Sequence, residues 1–210
     1  MRSLPPPGVV DLWVRPAETG NGRGDPERAG RWNARSQADL AAVLGQYRRP
    51  LPEFQRGPHG KPFLPGGPEF NLSHSAGGSA VAVAIDPVGV DIEGLGRTAD
   101  WPGIARRYFF SHETAMLEGL PADGARAAFL EFWTAKEALC KLAGEGIYGA
   151  LREASVEGAG GRFCGRPARL VRFGGAHGLA GTLATWGAVR VNIFEIGGIS
   201  DREAGCHSKT

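Results

Sequence analysis

Phe132-Trp133-Thr134-Ala135-Lys136-Glu137-Ala138-Leu139-Cys140-Lys141 places charges on a helix face that ought to be buried. The surrounding run, about residues 125–143, is made mostly of good helix formers and stops at Gly144, a natural helix terminator. At roughly 100° per residue, Phe129, Phe132, Trp133 and Cys140 form one apolar face, with Lys136 in its middle and Glu137 at its edge. Lys141 lies one turn beyond Glu137, and Trp133 one turn before it. Charges on an apolar stripe are costly unless they are paired, bound to metal or turned to a ligand. The competing reading is a snorkelling lysine above the core beside an ordinary exposed Glu–Lys pair.

At 210 residues the chain has room for one large domain or two small ones with a real core. A formal charge of +2 gives no general attraction to nucleic acid or to a membrane. No run reaches the apolar length of a membrane span. The start, Met1-Arg2-Ser3-Leu4-Pro5-Pro6-Pro7, lacks the apolar core of a secretion signal, so a cytoplasmic protein is the expectation. Cys140, Cys164 and Cys206 are widely spaced and odd in number, which suggests neither a disulfide framework nor a zinc site. Cys140 reads as a small core residue. Lysine is scarce against arginine, yet Lys61, Lys136 and Lys141 all fall inside the motifs below, where a compact point cation is wanted instead of a planar fork.

Residues 9–14 read as a first strand, and residues 26–46 as one or two helices in which Arg28, Arg31 and Arg35 recur at helical spacing. Residues 49–68 are dense in Pro and Gly and read as loop. Residues 81–85 and 88–92 flank Asp86-Pro87 and resemble a hairpin; residues 69–72 before them read as a further strand or an extended arm. Past Gly94 come a helical stretch near 104–110, the helix already described, and strands near 168–173, 179–184 and 189–193. Both parts read as helix plus antiparallel strands. The expectation is an α+β fold of two similar halves, 1–94 and 95–199, with no sequence repeat between them and a disordered polar tail at 200–210.

In Gly89-Val90-Asp91-Ile92-Glu93 the strand period of two buries Val90 and Ile92 and sends Asp91 and Glu93 off the other face, about 7 Å apart. With Glu137 nearby, three acids and no histidine–cysteine set point to a hard cation, magnesium first. Acids solvated at a strand end are the plainer reading. Asn71-Leu72-Ser73-His74-Ser75 runs into Ala76-Gly77-Gly78, where hydroxyls, imidazole and backbone amides suit an anion such as phosphate. Serines bonding their own backbone in a turn are the alternative there. The strand-to-helix elbow of a serine hydrolase is missing. Gly57-Pro58-His59-Gly60-Lys61-Pro62 offers a lysine on a flexible loop without Walker spacing.

Taken in order, Gly60-Lys61-Pro62, Asn71-Leu72-Ser73-His74-Ser75, Gly89-Val90-Asp91-Ile92-Glu93, Phe109-Phe110 with Glu113, and Trp133-Thr134-Ala135-Lys136-Glu137-Ala138 with Lys141 resemble the 4′-phosphopantetheinyl transferase superfamily. The resemblance spans roughly residues 9–147, and the length favours the surfactin-synthetase (Sfp) type, with two related halves in one chain. It implies a monomeric α+β pseudo-dimer that binds coenzyme A between its halves and moves phosphopantetheine to a serine of an apo acyl or peptidyl carrier protein. By matching motifs, Asp91, Glu93 and Glu137 look like magnesium ligands. Lys61, Ser73 and His74 look like coenzyme A contacts, Arg31 and Arg35 are the choices for its 3′-phosphate, and Lys136 and Lys141 look placed for the pyrophosphate. Asp91, Glu137 and Lys141 are the expected catalytic set, Glu137 accepting the serine proton directly or through a bound water. The competitors are a non-catalytic module that binds coenzyme A or a carrier protein, and a magnesium-dependent phosphodiesterase or nucleotidyl transferase built on the same acids.

Overall fold

Strand alternation sorts the side chains into three apolar cores in the computed structural model, which describes residues 1–17, 26–76, 78–96 and 100–197. In chain order the elements are β1 (Val9–Arg15), α1 (Pro26–Leu44), β2 (Gln55–Arg56), β3 (Pro62–Phe63), β4 (Glu69–Ser75), β5 (Gly78–Ala84) and β6 (Val88–Gly94). Then follow α2 (Trp101–Tyr108), α3 (Ser111–Glu118), α4 (Ala122–Ala143), α5 (Ile147–Ala150), β7 (Ala154–Glu157), β8 (Gly160–Phe163), β9 (Arg166–Gly174), β10 (Leu179–Thr185) and β11 (Arg190–Glu195). The first sheet has the order β11-β1-β5-β4, the second β6-β10-β9-β8-β7. All neighbours are antiparallel except β11, which lies parallel to β1.

Val10, Leu12 and Val14 of β1 and Ala80, Ala82 and Ala84 of β5 face Val88, Val90 and Ile92 of β6 and Leu179 and Leu183 of β10, so the sheets stack face to face. The other side of the first sheet, with Trp13, Phe70, Val81 and Val83, packs on Leu40, Val43 and Leu44 of α1. The other side of the second, with Leu170 and Ala184, takes Phe129, Ala135, Ala138, Leu139 and Leu142 of α4. The layers are helix, sheet, sheet, helix, and the α+β expectation is borne out. Two stretches of chain follow the same path. β1-α1-β4-β5 assembles as β1-β5-β4, and β6-α4-β9-β10 assembles as β6-β10-β9. The second path starts at Val88, and β11 returns to the first sheet, where Asn192 Nδ2 donates to Asp11 Oδ1 at 2.8 Å.

The hairpin expected across Asp86-Pro87 does not form: β5 pairs with β1 and β4, whereas β6 pairs with β10. Both strands send every second residue into the same inter-sheet core, so the turn carries the chain from one layer to the other. α1 is one helix, residues 69–75 are a full strand, and α4 ends at Gly144 in the left-handed region, with φ 78°. α4 lies directly on β6. A Cβ at Gly89 would stand 2.1 Å from the Ala138 carbonyl oxygen and 2.4 Å from the Leu142 nitrogen, so only glycine permits this approach. No helix among the described residues is long and apolar enough to cross a membrane. The expected tail at 200–210, with Cys206, lies outside the described residues.

Candidate active site

β4 and β6 are edge strands of different sheets, and side chains stitch them together in place of a backbone ladder. Asn71 Oδ1 accepts from the Val90 amide at 2.9 Å, Ser73 Oγ from the Ile92 amide at 3.2 Å, and Ser75 Oγ from the Gly94 amide at 3.1 Å. Every second side chain of β4 thus meets every second amide of β6, which would otherwise be edge amides in need of partners. The hydroxyls also donate, Ser73 to Asp91 Oδ1 at 2.8 Å and Ser75 to Glu93 Oε2 at 2.7 Å.

Asp91 is 3% exposed and stands where β4, β6 and α4 meet. Its Oδ1 also accepts from Lys141 Nζ at 2.6 Å, while its Oδ2 is buried without a hydrogen-bond partner. A buried carboxylate oxygen left this way is costly unless a cation meets it. Lys141, on the last turn of α4, keeps 18% of its side chain exposed, and Glu137 is half-buried one turn earlier. Lys61 Nζ donates to the carbonyls of Lys141, at 3.0 Å, and Val88, at 3.3 Å, bracing the end of α4 against the start of β6. Burial lowers the Lys61 pKa, with Glu69 opposing. His74, exposed near the end of β4, has its pKa lowered by partial desolvation and then by the Lys141 charge, with Asp91 opposing.

The acids fit a hard cation in part. Asp91 Oδ2 is the right kind of atom in the right place, and Glu93 lies two residues along the same strand. Yet no three His, Cys, Asp or Glu side chains among the described residues gather as a metal cluster, so Asp91, Glu93 and Glu137 do not form a ready-made cage. Glu93 is engaged with Ser75.

Lys136, expected on the pyrophosphate, is directed elsewhere. It is fully buried, donates to Glu113 Oε2 at 2.8 Å and to the Ala154 carbonyl, and lies 5.2 and 4.9 Å from the ring centroids of Phe109 and Phe110. Burial lowers its pKa, against which the hydrogen bond and charge of Glu113 work. Helix geometry is the reason: five residues turn the chain by roughly 140° net, so Lys136 and Lys141 cannot share a face, whereas Glu137 and Lys141 differ by roughly 40°. Glu113, to which sequence reasoning assigned no role, is the hub of that sealed side, accepting also from the Phe110 and Val156 amides at 2.8 Å each. Its position three residues past Phe110, at the start of α3, is a capping spacing legible in sequence. Cys140 is a core residue as expected, its thiol pushed up to about 12 mainly by burial.

Arg31 and Arg35 are exposed on α1, Arg31 only loosely paired with Glu27 at 3.8 Å; the Arg28 side chain lies outside what is described. Asp39, one turn past Arg35, is held by Arg15 at 2.6 and 2.8 Å and by the Ser79 hydroxyl. Ser79 faces His74 in the β4–β5 register, so Asp39 lies near the His74 end of β4.

Residues 87–171, which include β6 and α4, match the family model described as the 4′-phosphopantetheinyl transferase superfamily. The 4′-phosphopantetheinyl transferase HetI of Nostoc sp. is 35% identical over 131 residues, 58% of this chain and 55% of its own length. AcpT of Salmonella typhimurium is 38% identical over 107 residues, 49% of this chain and 55% of its own. The transferase gsp of Aneurinibacillus migulanus is 34% identical over 95 residues, 45% of this chain and 39% of its own. The chain thus spans about half the length of the curated relatives it matches, or less, and the resemblance read from its motifs stands on these similarities.

Proposed function

We propose that this chain transfers 4′-phosphopantetheine from coenzyme A to a serine hydroxyl of an apo acyl or peptidyl carrier protein, releasing adenosine 3′,5′-bisphosphate, and that it does so with magnesium as a cytoplasmic monomer. The observation that carries the reading is Asp91, inside the matched segment, with Oδ1 on Lys141 and Ser73 and Oδ2 buried and unmet. Asp91 Oδ2, with Glu93 and Glu137, would hold magnesium; bound there, the ion neutralises pyrophosphate charge.

The serine Oγ forms a bond to the phosphorus that carries pantetheine, the pyrophosphate P–O bond breaks, and the electron pair leaves with the adenosine bisphosphate. Glu137, or a water that it holds, takes the serine proton. Lys141 meets the charge developing on the leaving group, for which a lysine at a helix end with 18% of its side chain exposed is well placed. Lys61 and His74 line the approach of the phosphates, and Arg31 and Arg35 take the 3′-phosphate. Incubation with coenzyme A, magnesium and an apo carrier, followed by intact mass, tests the reading. Gain of one phosphopantetheine on the carrier is expected. Coenzyme A binding with no change in mass would replace the transferase with a binding module, and coenzyme A cleavage without carrier modification would replace it with a hydrolase.

A further inference from the structure

A serine hydroxyl has one proton to donate and two lone pairs with which to accept. On β4 both hydroxyl protons are already committed, that of Ser73 to Asp91 Oδ1 and that of Ser75 to Glu93 Oε2. Each hydroxyl also accepts from β6, from the Ile92 and Gly94 amides respectively. For either serine to donate to a phosphate, it would have to release its carboxylate. The contacts also run in step, because residues 73 and 75 meet acids 91 and 93 at the same period of two. Sliding β4 by one residue would lose both at once.

We propose that Ser73 and Ser75 are positioning residues that aim the two β6 acids at a divalent cation, and that neither hydroxyl is a phosphate contact. This rests on the transferase reading for its metal and deepens it. Ser73 and Lys141 both bind Oδ1, which fixes the plane of the Asp91 carboxylate and leaves the buried Oδ2 as the oxygen presented. Ser75 restrains Glu93 from the same strand, and Asn71 supports the seam by accepting from the Val90 amide without touching an acid. Removing a serine hydroxyl therefore takes one restraint from a carboxylate and also strips a β6 amide of its acceptor.

The test uses the full chain and separates metal from coenzyme. Mn²⁺ binding is followed by loss of the free-ion electron paramagnetic resonance signal, and coenzyme A binding by calorimetry in chelator. Ser73→Ala and Ser75→Ala are each expected to weaken Mn²⁺ binding about tenfold, the scale of one hydrogen bond to a charged group, with coenzyme A affinity within about twofold of the parent. Ser75→Thr, which keeps the hydroxyl, restores Mn²⁺ binding. Thermal unfolding confirms that each variant is folded. A tenfold loss of coenzyme A affinity with Mn²⁺ binding unchanged would make the serines ligand contacts and overturn the proposal, as would a parent protein that binds no Mn²⁺. If the parent fails to bind coenzyme A but shows the Mn²⁺ pattern, the transferase reading falls and the positioning role stands.

Discussion

α4 carries two lysine–carboxylate pairs of nearly equal length, Lys136–Glu113 at 2.8 Å and Lys141–Asp91 at 2.6 Å, with opposite surroundings. Both members of the first have no exposed side-chain surface, while in the second Lys141 keeps 18%. They differ in what each carboxylate has left to offer. Both oxygens of Glu113 are engaged, Oε1 with the Val156 amide and Oε2 with Lys136 and the Phe110 amide. Asp91 has both its donors on Oδ1 and a bare Oδ2. A completed pair fixes how helices sit; an incomplete one beside solvent can still bind something. Salt-bridge length does not separate the two cases, and the count of unused oxygens does.

The largest effect should come from breaking the completed pair. Lys136→Met leaves the Glu113 carboxylate buried without its cation and is expected to cost about 3–5 kcal/mol in urea unfolding. Replacing both partners, Glu113→Leu with Lys136→Met, should recover part of that loss; a single variant as stable as the parent would erase the contrast. Gly89→Ala follows, because its Cβ would enter α4 at 2.1 Å from the Ala138 carbonyl oxygen. Overpacking of about 1–3 kcal/mol is expected, together with loss of carrier modification as α4 lifts from β6 on the Asp91 side. Lys141→Ala should cost less than Lys136→Met, about 1–3 kcal/mol, because it leaves the buried Asp91 without its cation although Lys141 itself keeps 18% of its side chain exposed, yet abolish most transfer. Equal effects of Lys141→Ala on stability and turnover would place it with Lys136.

How much of this was legible in the sequence divides along the same line. Local chemistry was: α4 ends at Gly144 because glycine alone enters the left-handed region cheaply, and Val90 and Ile92 alternate against Asp91 and Glu93 as a strand demands. Pairing across distance was not. β5 and β6 have the same apolar alternation whether they share a sheet or face each other across two, so sequence alone does not separate a hairpin at Asp86-Pro87 from a crossing between layers. The short strands β7 and β8, with Gly160 and Gly161, carry too few β-formers to stand out. Lys136 stands out in its apolar stripe, but its partner Glu113 comes from a separate helix, and helix geometry puts Lys136 and Lys141 on different faces although they share one motif. Ser73 and Ser75 read as anion binders because nothing local says that their protons are already taken across the seam.

The smallest expected effect distinguishes the two lysines most directly. His74 titrates below its ordinary 6.5 because of partial desolvation and then the positive charge of Lys141, with the negative charge of Asp91 opposing. In the window between that lowered folded value and 6.5, the unfolded chain holds the proton more often than the folded one does. Stability therefore rises with pH across the window and is lost as pH falls through it, by a small amount because His74 is exposed. Lys141→Ala removes the cation and should raise the His74 pKa toward 6.5, narrowing the window. Lys136→Met, whose lost charge was sealed against Glu113 on another face of α4, should leave it in place. Imidazole chemical shifts of His74 followed against pH in the two variants measure this. A shift of similar size in both would mean that the two lysines act on one common site, and the division of α4 into a sealed side and an open side would fail.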